Sequence, residues 1–142
     1  MQFSKHAILA MLAFFGATSQ AKTLCEDYSW EDQTSGASPL VEDCEELYRT
    51  LGTGDKGDLN WTIGDIQSKL ALYKTCYIGG QRAEHGTSSL GNEDLRTLIR
   101  KSIDTYRTKF PDGTERVGSK GKMKCGELDG DWVSWGIYHS PT

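Results

Sequence analysis

The sequence predicts an α+β domain: a small antiparallel sheet with two helices packed on one face, stabilised by disulfides. Three observations lead to this. Apolar residues recur at helical spacing twice, as Leu40, Cys44, Leu47 and Leu51, and again as Leu95, Leu98, Ile99, Ile103 and Tyr106. Between residues 116 and 138 the period falls to two around a Gly/Asp-rich turn, as in an antiparallel hairpin. All four cysteines (Cys25, Cys44, Cys76 and Cys125) follow an N-terminal export segment, where an oxidising compartment would pair them.

The export segment comes first. Lys5 and His6 precede an apolar run from Ala7 to Ala17, about half the ~20 residues that a membrane-spanning helix needs. Ser19, Gln20 and Ala21 supply a small-x-small cleavage site, so residues 1–21 read as a secretory signal and 22–142 as the mature domain. Without Lys5, the remaining 15 basic residues face all 20 acidic ones, a formal charge of −5. An acidic balance argues against nucleic acid as a partner. No two cysteines sit two to four residues apart, as zinc ligands usually do, so neither a metal site nor a cofactor is expected.

A short strand is expected around Tyr28 to Trp30. Ser38 and Pro39 then signal a helix start, a hydroxyl for free amides followed by a residue without a donor. Glu42 and Asp43 suit the positive end of that helix, Arg49 the negative end, and Gly52 ends it. Asn60-Trp61-Thr62 is an N-glycosylation pattern, making Asn60 a candidate acceptor. Residues 65–73 fit either a helical turn or an extended lead-in. Thr75 to Ile78 reads as a strand with Cys76 inward and Tyr77 outward, and Gly79 to Gly91 as the longest and most mobile loop. Asn92 is the expected cap of the second helix, Phe110 closes its apolar stripe, and Pro111, Asp112 and Gly113 stop it.

In the hairpin, Val117, Ser119, Gly121, Met123 and Cys125 share one face, and Arg116, Lys120, Lys122 and Lys124 the other. On the returning strand Val133, Trp135 and Ile137 point inward, with Trp132, Ser134 and Tyr138 outward. Trp30, Trp61 and Trp135 are expected in the core. Spacing does not choose among the three connectivities open to four cysteines. Cys25 with Cys125 and Cys44 with Cys76 is preferred, because it joins four separate elements and closes the chain end to end.

Chemistry finds little support. His85 and His139 have no nucleophile motif beside them, and Glu26 with Asp27 or Glu45 with Glu46 are adjacent in sequence and so do not face one another. The expected partner-binding residues are instead on the surface. Arg116, Lys120, Lys122 and Lys124 would either meet an anionic surface or form a solvated edge that resists aggregation. Trp132 and Tyr138, with Tyr77, would either stack on sugar rings or, Trp132 foremost, lie half-buried on the second sheet face.

Five blocks carry a family resemblance: SPLVEDCEEL (38–47), LYKTCYIGG (72–80), GNEDLRTLIRKSI (91–103), RVGSKGKMKC (116–125) and VSWGIY (133–138). In order and spacing they resemble the fungal Ecp-two (Hce-two) effector domain, also labelled a necrosis-inducing factor. The resemblance implies a secreted fungal protein, delivered to the plant apoplast, that promotes virulence and can provoke host cell death. It also implies a fold similar to the KP-four killer-toxin sandwich, and related domains occur attached to fungal chitinases. The sequence departs from the pattern in the 79–91 segment and at Tyr77, where the family often carries a smaller residue. The combined expectation is a monomeric, non-enzymatic effector whose partner is a host plant protein, membrane or cell-wall component. The alternative is a module that binds chitin or pectin.

Overall fold

The computed structural model describes residues 24–51, 61–63, 67–83, 88–126 and 131–141. Residues 1–23, which include the expected signal, lie outside the described residues, as do Gly52, Asn60, His85 and the Trp61 side chain. In chain order the elements are β1 (Glu31–Asp32), α1 (Val41–Thr50), β2 (Trp61–Ile63), β3 (Ser68–Tyr73), β4 (Cys76–Arg82) and β5 (Ser88–Leu90), followed by α2 (Asn92–Tyr106), β6 (Thr108–Lys109), β7 (Glu115–Arg116), β8 (Ser119–Lys124) and β9 (Trp132–His139). Five strands form one antiparallel sheet in the order β1-β8-β9-β4-β3, and β2 with β5 and β6 with β7 make two small ladders.

Alternation along the strands divides this sheet into two faces. Ser119, Gly121 and Met123 of β8 stand opposite Ile137, Trp135 and Val133 of β9, and Ile78 of β4 continues the same inner row. Onto that face α1 packs Val41, Cys44 and Leu47, and α2 packs Leu95, Leu98, Ile99 and Ile103, making one core. Fully burying such an apolar side chain contributes roughly 1.5–3 kcal/mol. Polar ties set the helix positions: Ser102 and Ser119 hydroxyls meet at 2.6 Å inside the core. Asp43 accepts from the Thr75 hydroxyl at 2.6 Å and from its amide at 3.2 Å.

The α+β architecture is the expected one, and two disulfides lock it. Cys44–Cys76 fastens α1 to β4, and Cys25–Cys125 fastens the N-terminal segment to the end of β8. This is the preferred connectivity of the three, and its Cys25–Cys125 bond spans 100 residues of the chain. Of residues 65–73, those described take the extended alternative, Ser68–Tyr73 forming β3, and residues 65 and 66 lie outside the described residues.

Several expectations fail for local reasons. Ser38 does not cap α1: its hydroxyl accepts from Ser35 N and faces Gln33 O within the preceding turn. Pro39 O meanwhile accepts from Val117 N, so the helix starts only after Leu40. Asn92 does not cap α2 either, because its side-chain amide donates to Leu51 O, and Gly91 takes the cap position. That helix ends at Tyr106, and Thr108 and Lys109 leave it to pair with β7, so Phe110 and Lys109 belong to a hairpin rather than to the helix. The expected strand at Tyr28–Trp30 begins later, at Glu31, since Asp27 in the left-handed region (φ 53°) kinks the segment. The expected loop from Gly79 is largely strand: Gly79 and Gly80 pair with Gly136 and Trp135 inside the sheet. Trp30 is half-buried at the rim of the core, edge-on to Trp135 with ring centres 6.0 Å apart.

Candidate functional site

The outer face of the sheet carries what the helices do not cover. Lys120 and Lys122 project from β8 and Ser134 and Tyr138 from β9, all exposed. Beside them runs the segment from Glu26 to Asp32, which holds the β8 edge through Ser29 N to Lys122 O (2.8 Å) and the Glu31–Lys120 pairing. A groove of about 550 Å³ lies there, walled by Ser29, Glu31, Lys120, Lys122, Ser134 and Tyr138. Trp30, Gly121 and Trp135 complete its lining.

Glycine gives this surface its shape. A Cβ on Gly136 would fall 2.0 Å from the Tyr138 ring, so the ring lies down across the bare backbone of its own strand. On β4 a Cβ on Gly79 would meet Gln67 Nε2 at 2.8 Å and the Tyr77 ring at 3.1 Å, so both side chains close over this glycine. Tyr77, Tyr138 and Leu72 are cross-strand neighbours on this face, and Tyr138 and Leu72 remain 39% and 43% exposed. The outcome is a low aromatic and aliphatic ridge beside the lysines. Partial burial, with Tyr77 close by, raises the Tyr138 phenol above the usual tyrosine range, so it is a neutral donor at physiological pH.

The charge of this face opposes that of the whole chain. Lys69, Lys120, Lys122 and Lys124 stand on it. Among the described residues the facing acids are Glu31, 3.7 Å from Lys120 with both side chains largely exposed, and Glu26, the bridge partner of Lys124. Lys122 has no ion pair among the described residues.

The structure thus brings three of the six expected partner-binding residues together, Lys120, Lys122 and Tyr138. Arg116 leaves the row. It belongs to β7, where its guanidinium donates to Ser38 O at 2.7 Å, and Val117 and Gly118 separate it from β8 by turning to bond Pro39 and Gln33. Lys124 and Trp132 pair with each other at the far end of the hairpin and are half-buried. Ser29, Glu31 and Ser134 enter the groove without having been singled out. The repeated pattern of a glycine two residues from a tyrosine, Tyr77-x-Gly79 and Gly136-x-Tyr138, was the available sign of a flat aromatic surface.

Carboxylates suited to chemistry are engaged elsewhere. Asp94 is fully buried and accepts from Gly91 N (2.8 Å), Leu24 N (2.9 Å), Cys25 N (3.1 Å) and the Tyr28 hydroxyl (2.5 Å). Asp131 pairs with Arg82 at 2.8 Å, both largely buried. Glu46 bonds Arg49, and Glu45 lies 4.0 Å from Arg107. His139 is exposed, its Nδ1 2.8 Å from Ser140 O. Among the described residues no three of His, Cys, Asp and Glu gather as a metal site would require.

Comparison with known proteins places this surface in context. A relative from Penicillium expansum named "Probable chitinase LysM18" is 36% identical over 124 residues, covering 84% of this chain. The chain spans 8% of that relative's length. The family model Hce2, described as "Pathogen effector; putative necrosis-inducing factor", matches residues 24–125, from the segment that Asp94 anchors to the cysteine that ends β8. The chain belongs to the Hce2 family of pathogen effectors.

Proposed function

We propose that the protein is a secreted effector, delivered by a plant-infecting fungus to the host apoplast, that promotes virulence by binding rather than by catalysis. Its working surface is the outer face of the sheet, where it meets a host protein, membrane or wall component. One observation carries this reading: the exposed Lys120, Lys122, Ser134 and Tyr138 converge on a groove beside a tyrosine ridge, while the buried carboxylates Asp94 and Asp43 are occupied by backbone and hydroxyl donors. Necrosis-inducing or killer-toxin-like activity is the outcome of that binding in the host. Infiltrating leaves with the folded, disulfide-intact protein tests it against a reduced and alkylated control. Cell death or enhanced infection is expected from the native protein and not from the control. A response equal for both, or turnover of a polysaccharide or peptide substrate, rejects the proposal.

A second reading, a wall-binding module for chitin or pectin, draws on the chitinase name of the Penicillium relative and on the tyrosine ridge. Retention of the folded protein on insoluble chitin or pectin supports it.

A further inference from the structure

We infer that the outer-face groove binds an acidic polysaccharide, a polymer of sugar rings that carry carboxylates, such as a polyuronate. This deepens the wall-binding reading and rests on it. The groove joins two recognition chemistries that the chain could have kept apart. Tyr138, held flat over Gly136 and backed by Tyr77, offers an aromatic face of the kind that covers the apolar side of a sugar ring. Lys120 and Lys122 project on the same side, two residues apart on one strand and therefore roughly 6.8 Å apart at their backbones. A neutral glycan would leave the Lys122 ammonium without a charged partner, and a polyanion lacking rings would leave the tyrosine ridge uncovered.

Charge complementarity selects the acid. Across this face four lysines meet two glutamates, Glu31 and Glu26, an excess of positive charge, whereas the chain as a whole carries −4. The net negative charge of the whole chain disfavours a polyanion elsewhere on average, so this lysine-bearing face is a favourable approach for a polyuronate. Ser134, exposed in the same groove, offers a hydroxyl able to meet ring hydroxyls, while the Ser29 hydroxyl accepts from Lys122 N at 3.0 Å and holds the groove wall. Glu31, already beside Lys120, is the group a ligand carboxylate would displace from it.

The test measures binding of the folded, disulfide-intact protein to polygalacturonate, to its fully methyl-esterified form, to chito-oligosaccharide and to polyglutamate. Tight, salt-sensitive binding to polygalacturonate alone is expected. The double substitution Lys120→Gln with Lys122→Gln should weaken it roughly two- to thirtyfold, the worth of two exposed ion pairs. Tyr138→Leu still covers Gly136 but removes the ring, and it should weaken binding while leaving the thermal midpoint unchanged. Binding to chito-oligosaccharide as tight as to polygalacturonate overturns the acidic-ligand inference and leaves the wall-binding reading standing. Binding to none of the sugars overturns both. Equal affinity for polyglutamate, or a Tyr138→Leu variant that binds like the parent, shows attraction by charge alone and also overturns the inference.

Discussion

Asp94 shows how one side chain can organise distant parts of the chain. Its position in the first turn of α2 suggests a helix-dipole role, yet it is completely buried and collects three backbone amides and a phenol. Two donors point at each oxygen, so a side-chain amide in its place would turn its NH2 group towards two of them. Asp94→Asn should therefore cost about 2–4 kcal/mol, the desolvation penalty of two orphaned donors, seen as a lower urea midpoint at unchanged slope. Tyr28 reports on the same cluster. Burial first, then its hydrogen bond to Asp94, pushes its phenol far above the ordinary value near 10. A raised folded pKa favours the protonated form, so this contribution is complete below the unfolded pKa and declines as pH climbs past it. Stability should fall above about pH 10 and fall less in Tyr28→Phe, which has no proton to lose, when denaturation is followed from pH 8 upwards.

At the scale of elements, the difference between what was legible and what was not is one of sequence distance. The amphipathic stripe of α2 and the alternation of β8 and β9 are self-contained patterns, and both appear as expected apart from their ends. The same alternation puts Lys120, Lys122 and Tyr138 on the outer face. Gly79 and Gly80 read as loop because a glycine pair is a turn signal. They are strand because Gly136 and Trp135, more than fifty residues away, supply the other half of the ladder. The groove wall was hidden in the same way. The segment from Glu26 to Asp32 can lie against β8 only because Gly121 lacks a side chain: a Cβ there would come 1.9 Å from Ser29 O. Nothing within either segment announces that contact. Gly121→Ala is thus expected to push the edge segment away at a cost of about 1–3 kcal/mol, the usual penalty of overpacking. Faster hydrogen exchange at the Ser29 amide, which bonds Lys122 O, would locate the damage, with little change at Ile78 amid the central strands.

For the whole molecule the two disulfides have separable consequences. A domain of this size has a net stability of only about 5–15 kcal/mol, so a crosslink worth several kcal/mol decides whether it stays folded. Chain-entropy reasoning assigns about 4 kcal/mol to Cys44–Cys76, which closes 32 residues, and about 5 kcal/mol to Cys25–Cys125, which closes 100. Stability alone would make the two losses nearly equivalent, but position does not. Cys44–Cys76 lies under the sheet between α1 and β4, whereas Cys25 begins the segment that carries Ser29 and Glu31 to the groove. With Cys25 and Cys125 both changed to serine, that segment keeps its Asp94 hydrogen bonds but loses its covalent hold on the end of β8. At a temperature where both double variants remain folded, Cys25→Ser with Cys125→Ser should weaken binding at the outer face, and Cys44→Ser with Cys76→Ser should retain it. Thermal melts and binding isotherms on the two variants decide the matter: equal melting losses with unequal affinities mean that the long-range disulfide shapes the recognition surface, while parallel changes in both mean that it serves the fold alone.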